Sequence, residues 1–238
     1  MIDLQHLSKH FGSLKAVDDL SIQVPRGEIF CFLGPNGAGK TTTIKMLCGL
    51  LKPSEGTIRI GDIDLRDDPL AVRRLTGYIP DQPYMYERLT ALEYCRFVAD
   101  LFKVPRDVAD QRLAVYFDLF GLQEYGGSLI KDLSHGFRQR LIYAATFLHE
   151  PSVLFVDEPF IGLDPYSIRT IRDTLKRKAR EGMTVFLTTH ILALAEDLAD
   201  RVGILVKGRL EACGTLGDLS RQHAQGGNLE DIFLKLTT

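Results

Sequence analysis

The sequence predicts an α/β fold with a mostly parallel sheet, an N-terminal antiparallel β subdomain and an inserted helical subdomain. Three observations predict it. Short apolar runs at 28–33, 152–156, 183–187 and 202–206 are separated by stretches of helical character, the pattern of a sheet covered on both faces. The first run closes on the glycine-rich segment 34–41, which leads into a helical stretch. Residues 83–150 carry helical periodicity although sheet segments lie on both sides of them.

The elements follow in order. In the first 25 residues, the alternation Ser21-Ile22-Gln23-Val24 predicts antiparallel strands with one wet face. The run 28–33 contains Ile29, Phe30, Cys31, Phe32 and Leu33, and Gly34 and Pro35 close it, as expected of a strand buried on both faces. A helix is expected over 39–51. In the insert, Leu92, Cys95, Ala99 and Phe102 recur at helix spacing, as do Phe137, Leu141, Ala144, Ala145 and Leu148. Residues 223–228 read as a flexible join before a last short helix at 229–236. The expected organisation is a single domain over 1–238, with a helical subdomain inserted at 83–150 and a short extension at 207–238. At 238 residues the chain exceeds an average domain of roughly 150, and the insert accounts for most of the excess.

Composition excludes several classes. With 29 Lys and Arg against 31 Asp and Glu, the near-neutral balance argues against a protein whose main work is binding phosphate backbones. The longest stretch without those four residue types is 182–195, and it contains Thr188, Thr189 and His190. A membrane-spanning helix needs roughly 20 apolar residues, so no span is expected. Residues 1–6 have neither a basic nor an apolar leader region. Cys31, Cys48, Cys95 and Cys213 form no CxxC pair, which fits reduced thiols in the cytoplasm.

The segment Gly34-Pro35-Asn36-Gly37-Ala38-Gly39-Lys40-Thr41 fits the P-loop pattern GxxxxGK[ST], in the strand-to-helix context that the motif requires. The core is therefore expected to be that of a P-loop NTPase. The backbone N–H groups of such a loop form a nest for phosphate oxygens, and the following helix adds its positive dipole end. Lys40 is placed to reach the β- and γ-phosphates, and the Thr41 hydroxyl to hold Mg²⁺. The apolar run 153–156 delivers Asp157 and Glu158 at the carboxyl end of a strand, where open α/β sheets bind ligands. Asp157 is the Mg²⁺ candidate. Glu158 is the candidate to orient or deprotonate an attacking water. His190, at the end of another strand, is a candidate sensor of the γ-phosphate. No Asn-Lys-x-Asp guanine-recognition pattern occurs, so ATP is the expected nucleotide.

With these motifs in this order, the chain resembles the nucleotide-binding subunit of ATP-binding cassette (ABC) transporters over roughly residues 2–206. Its P-loop through Thr42, its strand ending in Glu158, the turn Gly162-Leu163-Asp164 and His190 are all similar to family motifs. Phe11 matches the aromatic that stacks on adenine. Leu133-Ser134-His135-Gly136-Phe137 occupies the signature slot, otherwise LSGGQ. The resemblance implies ATP hydrolysis with Mg²⁺ by two such domains packed head to tail, as a homodimer or with a paired cassette subunit. Ser134 and Gly136 would contact the partner's nucleotide. It also implies separate transmembrane permease subunits, a peripheral place on the cytoplasmic face of the membrane, and docking through the helical insert. Tyr84, Met85 and Tyr86 are either exposed docking residues or core.

Three departures stand out: His135 replaces a glycine, Phe137 replaces a glutamine, and Asp81 occupies the slot of the family's Q-loop glutamine with Gln82 one position later. Either Asp81 or Gln82 is a candidate on the Mg²⁺ side. Alternatives are a cassette ATPase acting on nucleic acid or the ribosome, or a weakly catalytic nucleotide sensor. The span between Lys40 and Asp157 leaves no room for a long coiled coil. The basic run 176–180 shares a helix with the apolar stripe Ile168, Ile171, Leu175 and Ala179, so it reads as a solvated face and no nucleic acid is expected.

Overall fold

A computed structural model describes residues 1–160, 162–223 and 228–237. Strands β1 (Ile2–Phe11) and β2 (Leu14–Val24) pair antiparallel, with Ile2 opposite Val24 and Leu4 opposite Ile22. Strand β3 (Ile29–Leu33) leads through the glycine-rich loop into helix α1 (Lys40–Leu47). The chain then returns to the antiparallel sheet as β4 (Glu55–Ile60) and β5 (Ile63–Asp64). Helix α2 (Pro69–Leu75) and strand β6 (Thr76–Ile79) follow. Three helices come next: α3 (Ala91–Leu101), α4 (Arg106–Leu119) and α5 (His135–Phe147). Then β7 (Val153–Asp157), α6 (Pro165–Arg180), β8 (Thr184–Thr189) and α7 (Leu192–Leu198) alternate. A hairpin of β9 (Arg201–Val206) and β10 (Arg209–Gly214) precedes α8 (Leu216–His223) and α9 (Leu229–Thr237).

The fold is mixed α/β, as expected. The larger sheet has six strands in the order β10-β9-β3-β8-β7-β6. All its pairings are parallel except that of β10 with β9. The smaller sheet has the order β2-β1-β4-β5 and is antiparallel. The antiparallel sheet therefore draws on residues well beyond the first 25, because β4 pairs with β1, Ile2 facing Ile60 and Leu4 facing Ile58. The helix expected over 39–51 stops at Leu47, where the Cys48 N–H bonds back to the Ile44 carbonyl and Gly49 turns with φ +65°. Residues 224–227 of the expected join lie outside the described residues.

Period-two alternation divides the central strands between two cores. Ile29, Cys31 and Leu33 of β3 join Leu154, Val156, Val185 and Leu187 against the helices, while Phe30, Phe32, Val153, Phe155 and Phe186 face α1 and the antiparallel sheet. The phenyl rings form a cluster around Phe186, whose centroid lies 5.3 Å from that of Phe30, 5.5 Å from Phe32 and 6.3 Å from Phe155. Each such ring contributes roughly 1.5–3 kcal/mol by leaving water. Helix α5 is buried from Gln139 to Phe147, which requires neighbours on every side; α3, α4, β6 and α6 supply them. The four cysteines are free, and Cys31, Cys48 and Cys95 are buried. No helix among the described residues is long and apolar enough to cross a membrane.

The Phe186 cluster holds the floor of the sheet beneath its carboxyl edge. Phe186→Ala is expected to cost about 3–5 kcal/mol, read as a lowered midpoint in urea unfolding followed by far-ultraviolet circular dichroism.

A candidate nucleotide cleft at the carboxyl ends of the parallel strands

The chemistry-bearing residues emerge where β3, β6, β7 and β8 end. After Leu33 the chain enters the phosphate loop, whose path is fixed by close backbone approaches. A Cβ on Gly34 would lie 2.4 Å from the Leu205 carbonyl oxygen, and one on Gly39 would lie 2.3 Å from that of Ala16. Gly39 also takes φ +108°, a conformation closed to side-chain-bearing residues. The loop ends as the N-terminus of α1, where the first amides have no intrahelical acceptor and point outward.

Lys40 lies almost wholly below the surface. Its Nζ donates to the carbonyls of Gly34 at 2.7 Å and Pro35 at 3.2 Å, and it stands 3.7 Å from Glu158 Oε1. Burial pulls its ammonium below the ordinary lysine range, while the charges of Glu158 and Asp157 oppose that shift. Asp157 is buried at the end of β7, and its Oδ1 accepts from Thr188 Oγ1 at 2.5 Å and Thr41 Oγ1 at 3.3 Å. Thr41 Oγ1 and the Asp157 carboxylate thus bring two hard oxygen donors together, suited to a magnesium ion that keeps most of its water.

Glu158 takes φ +51°, a conformation costly for a residue with a Cβ and found most often at functional sites. Its N–H donates to the Thr188 carbonyl at 3.1 Å and lies 3.3 Å from Thr188 Oγ1. Its carboxylate oxygens both lie 3.0 Å from His190 Nδ1, so the imidazole tautomer with a proton on Nδ1 donates to them.

One cleft is lined by Asn36, Gly37, Ala38, Gly39, Lys40, Thr41, Thr42, Asp81, Glu158 and His190, and at its far end by Phe11. Phe11 is 50% exposed, and the Lys9 ammonium lies over its ring, 5.1 Å from the centroid. Of the two Q-loop candidates, Asp81 reaches the cleft; Gln82 is exposed and outside it. Burial raises the Asp81 carboxyl above the ordinary range, the Asp157 and Glu158 charges add to this, and His135 opposes it.

Ser134 and Gly136 are not brought to this cleft. Ser134 caps α5, accepting from the Phe137 N–H at 3.4 Å. Gly136 faces Asp164 and Leu163, and the His135 ring lies against Gly162, 3.2 Å from where a Cβ would stand. The exposed start of α5 and the turn after β7 therefore form one surface. Tyr84 and Tyr86 are exposed, whereas Met85 packs on the core. Sequence reasoning passed over Thr188, whose hydroxyl donates to Asp157 and accepts from Glu158. Register was the available signal, since β7 and β8 pair Asp157 with Thr188. Leu14, Lys15, Ala16 and Lys207 also line the cleft without a motif to mark them.

Known proteins similar to this chain identify its family. The family model described as ABC transporter matches residues 17–161, and the chain belongs to that family. It is 36% identical over 240 residues to the probable multidrug ABC transporter ATP-binding protein YbhF of Escherichia coli (strain K12), covering 99% of this chain and 41% of YbhF. It is 39% identical over 218 residues to the daunorubicin/doxorubicin resistance ATP-binding protein DrrA of Streptomyces peucetius, covering 92% of this chain and 66% of DrrA. The chain thus spans about two-fifths of YbhF and two-thirds of DrrA. Among solved structures, an ATP-binding subunit of an ABC transporter aligns with TM-score 0.95 and 36% identity, covering 100% of both chains. A dimeric ATP-binding cassette in a post-hydrolysis state, bound to ADP and Pi, aligns with TM-score 0.81 and 26% identity over 91% of this chain and 99% of that one.

Thr188 gives this site a direct test. Thr188→Val keeps the shape and removes the shorter of the two hydrogen bonds to a buried carboxylate oxygen, so stability should fall by about 1–3 kcal/mol in urea unfolding. Thr188→Ser, which retains the hydroxyl, should lose clearly less.

Proposed function

We propose that this chain binds ATP in the cleft and hydrolyses it as one member of a head-to-tail pair, powering a membrane transporter whose spanning subunits are separate chains. The observation that carries the reading is the convergence of Lys40, Glu158 and His190 on the cleft that the phosphate loop lines, with Asp157 and Thr41 paired in its floor. Adenine stacks on Phe11 at one end. The triphosphate runs over residues 34–42, and Lys40 exchanges its carbonyl acceptors for β- and γ-phosphate oxygens. Thr41 and Asp157 are the residues to hold Mg²⁺, which when bound neutralises phosphate charge. Glu158 accepts a proton from the attacking water as the water oxygen bonds to the γ-phosphorus and the bond to the β,γ-bridging oxygen breaks, releasing ADP. His190, bonded to Glu158, fixes the direction of that carboxylate. Asp81 borders the same space.

Ser134 and Gly136 lie on the surface shared with Gly162 and Asp164, away from the cleft of their own chain. The N-terminus of α5 is suited to an anion, so its ligand in this reading is the nucleotide held by a second copy or a paired subunit. We read the whole chain as one cassette, with 83–150 as the inserted helical part that docks on permease subunits and 207–238 as its extension. The exposed rings of Tyr84 and Tyr86 support that docking role. Association with the permease would hold the chain at the cytoplasmic face of the membrane. A nucleic-acid role is disfavoured by the state of the basic run on α6. Lys176 pairs with Asp197 at 2.9 Å, Lys178 with Glu181 at 3.3 Å and Arg177 with Glu181 at 4.0 Å.

Two variants test the proposal. Lys40→Ala should weaken Mg-ATP binding at least about tenfold in equilibrium titration, the loss of one strong charge-assisted contact. Glu158→Gln should retain ATP binding, lose roughly 10²–10⁴ in hydrolysis rate and accumulate an ATP-dependent dimer in size-exclusion chromatography. Undiminished hydrolysis in Glu158→Gln would overturn the catalytic assignment. Unchanged binding in Lys40→Ala would overturn the site.

A further inference from the structure

We propose that Lys207, in the turn between β9 and β10, is a nucleotide-binding residue that contacts the ribose and α-phosphate part of the ligand. The inference rests on the reading that the cleft holds ATP. No motif marks this residue, and its case is geometric. Lys207 and Gly208 form a two-residue turn, with φ +48° and +84°. The Gly208 N–H donates to the Ala38 carbonyl and the Gly208 carbonyl accepts from the Asp18 N–H, both at 2.9 Å. A Cβ on Gly208 would meet the Ala16 carbonyl oxygen at 3.0 Å. The turn is therefore fastened between the phosphate loop, through Ala38, and the strand β2 that flanks Phe11, through Ala16 and Asp18. Lys207 lines the cleft, on a turn bonded on one side to Ala38 of the phosphate loop and on the other to β2, the strand whose Leu14 pairs with Phe11. The part of a nucleoside triphosphate that spans such a junction is the ribose and the α-phosphate.

The charges at this corner point the same way. Lys15 and Arg209 share one acid: Asp18 Oδ1 lies 3.2 Å from Lys15 Nζ, and Asp18 Oδ2 lies 2.6 Å from Arg209 Nη2. Lys207 has no ion pair among the described residues and is exposed. Its charge is left for a ligand. Turn chemistry does not explain the residue either. Asn, Asp and Gly are the residues that suit left-handed positions in two-residue hairpin turns, and a lysine there carries a steric cost without forming a local hydrogen bond. A flexible four-carbon stem ending in three donors is instead suited to reaching an anion from the rim of a cleft.

The test is calorimetric titration of Mg-ATP and Mg-ADP into the whole chain at low salt. Wild type is compared with Lys207→Asn, Lys207→Arg and a remote charge control, Lys103→Gln. Lys207→Asn keeps a residue suited to the turn, and thermal melts check that it folds. Expected is a loss of about three- to tenfold in affinity for Lys207→Asn, equal for ATP and ADP because both carry the α-phosphate. Lys207→Arg and the control should stay within about twofold of wild type. Equal affinities for wild type and Lys207→Asn would overturn the proposal and leave the site reading standing. A loss confined to ATP would overturn the placement at the α-phosphate. A wild-type chain that binds neither nucleotide would overturn the site reading and this inference together.

Discussion

Between Gly34 and Gly39 the chain passes between the carbonyl oxygens of Leu205 and Ala16, each too close to admit a Cβ at the facing glycine. β9 supplies one wall and β2 the other, so the phosphate loop is clamped by both sheets at once. Lys40 follows immediately, and its ammonium is drawn under the loop by the Gly34 and Pro35 carbonyls. This buries a positive charge, which is expensive without compensation. Glu158, 3.7 Å away, supplies the compensating charge. The direction of Lys40, and through it that of Glu158, thus follows from where two backbones meet.

The acids of β7 depend on the neighbouring strand in the same way. Parallel register sets Thr188 of β8 beside Asp157, and a single hydroxyl both donates to Asp157 and accepts from the Glu158 N–H. That second bond, together with the Thr188 carbonyl, holds Glu158 in a left-handed conformation it would not adopt by propensity. The strain turns the Glu158 carboxylate toward His190 and Lys40 and away from the direction the strand would have given it. The large phenyl cluster around Phe186 matters here beyond its stability, because it fixes the relative height of β3, β7 and β8. An error of one residue in that register would exchange Thr188 for a residue whose side chain points to the other face.

What was legible in the sequence was whatever local pattern determines. The phosphate loop needs glycines in a fixed order, and a doubly buried strand reads as a continuous apolar run, so β3, β7, β8 and β9 and the residues at their ends were plain. The strands β4 and β6 were not. Ile58 and Ile60 do alternate with polar residues, but Gly56 and the shortness of the segment hide the pattern, and its pairing with β1 is long-range. Strand β6 has four residues, Thr76-Gly77-Tyr78-Ile79, and its glycine is required by close packing, since a Cβ there would lie 2.5 Å from Thr146 Cγ2. Thr188 was illegible for a different reason. A threonine in a strand is unremarkable until the neighbouring strand is known. The choice between Asp81 and Gln82 likewise needed the exit direction of β6, which places the first in the cleft and the second in solvent.

The two least typical motif positions, His135 and Asp81, lie on different surfaces, the first at the start of α5 and the second in the cleft wall. His135 lies against Gly162, in the turn that follows the strand bearing Asp157 and Glu158, and Asp81 lines the cleft into which Glu158 projects. A glycine at position 135 would present no ring to that turn, and a glutamine at position 81 would carry no charge to be acted on. Burial raises the Asp81 carboxyl, and the charges of Asp157 and Glu158 add to that rise. The start of α5 is joined to the turn after β7 through the His135 ring. The exposed start of α5 and the turn that leaves the acid-bearing strand therefore share one surface, set by the contact of the His135 ring with Gly162.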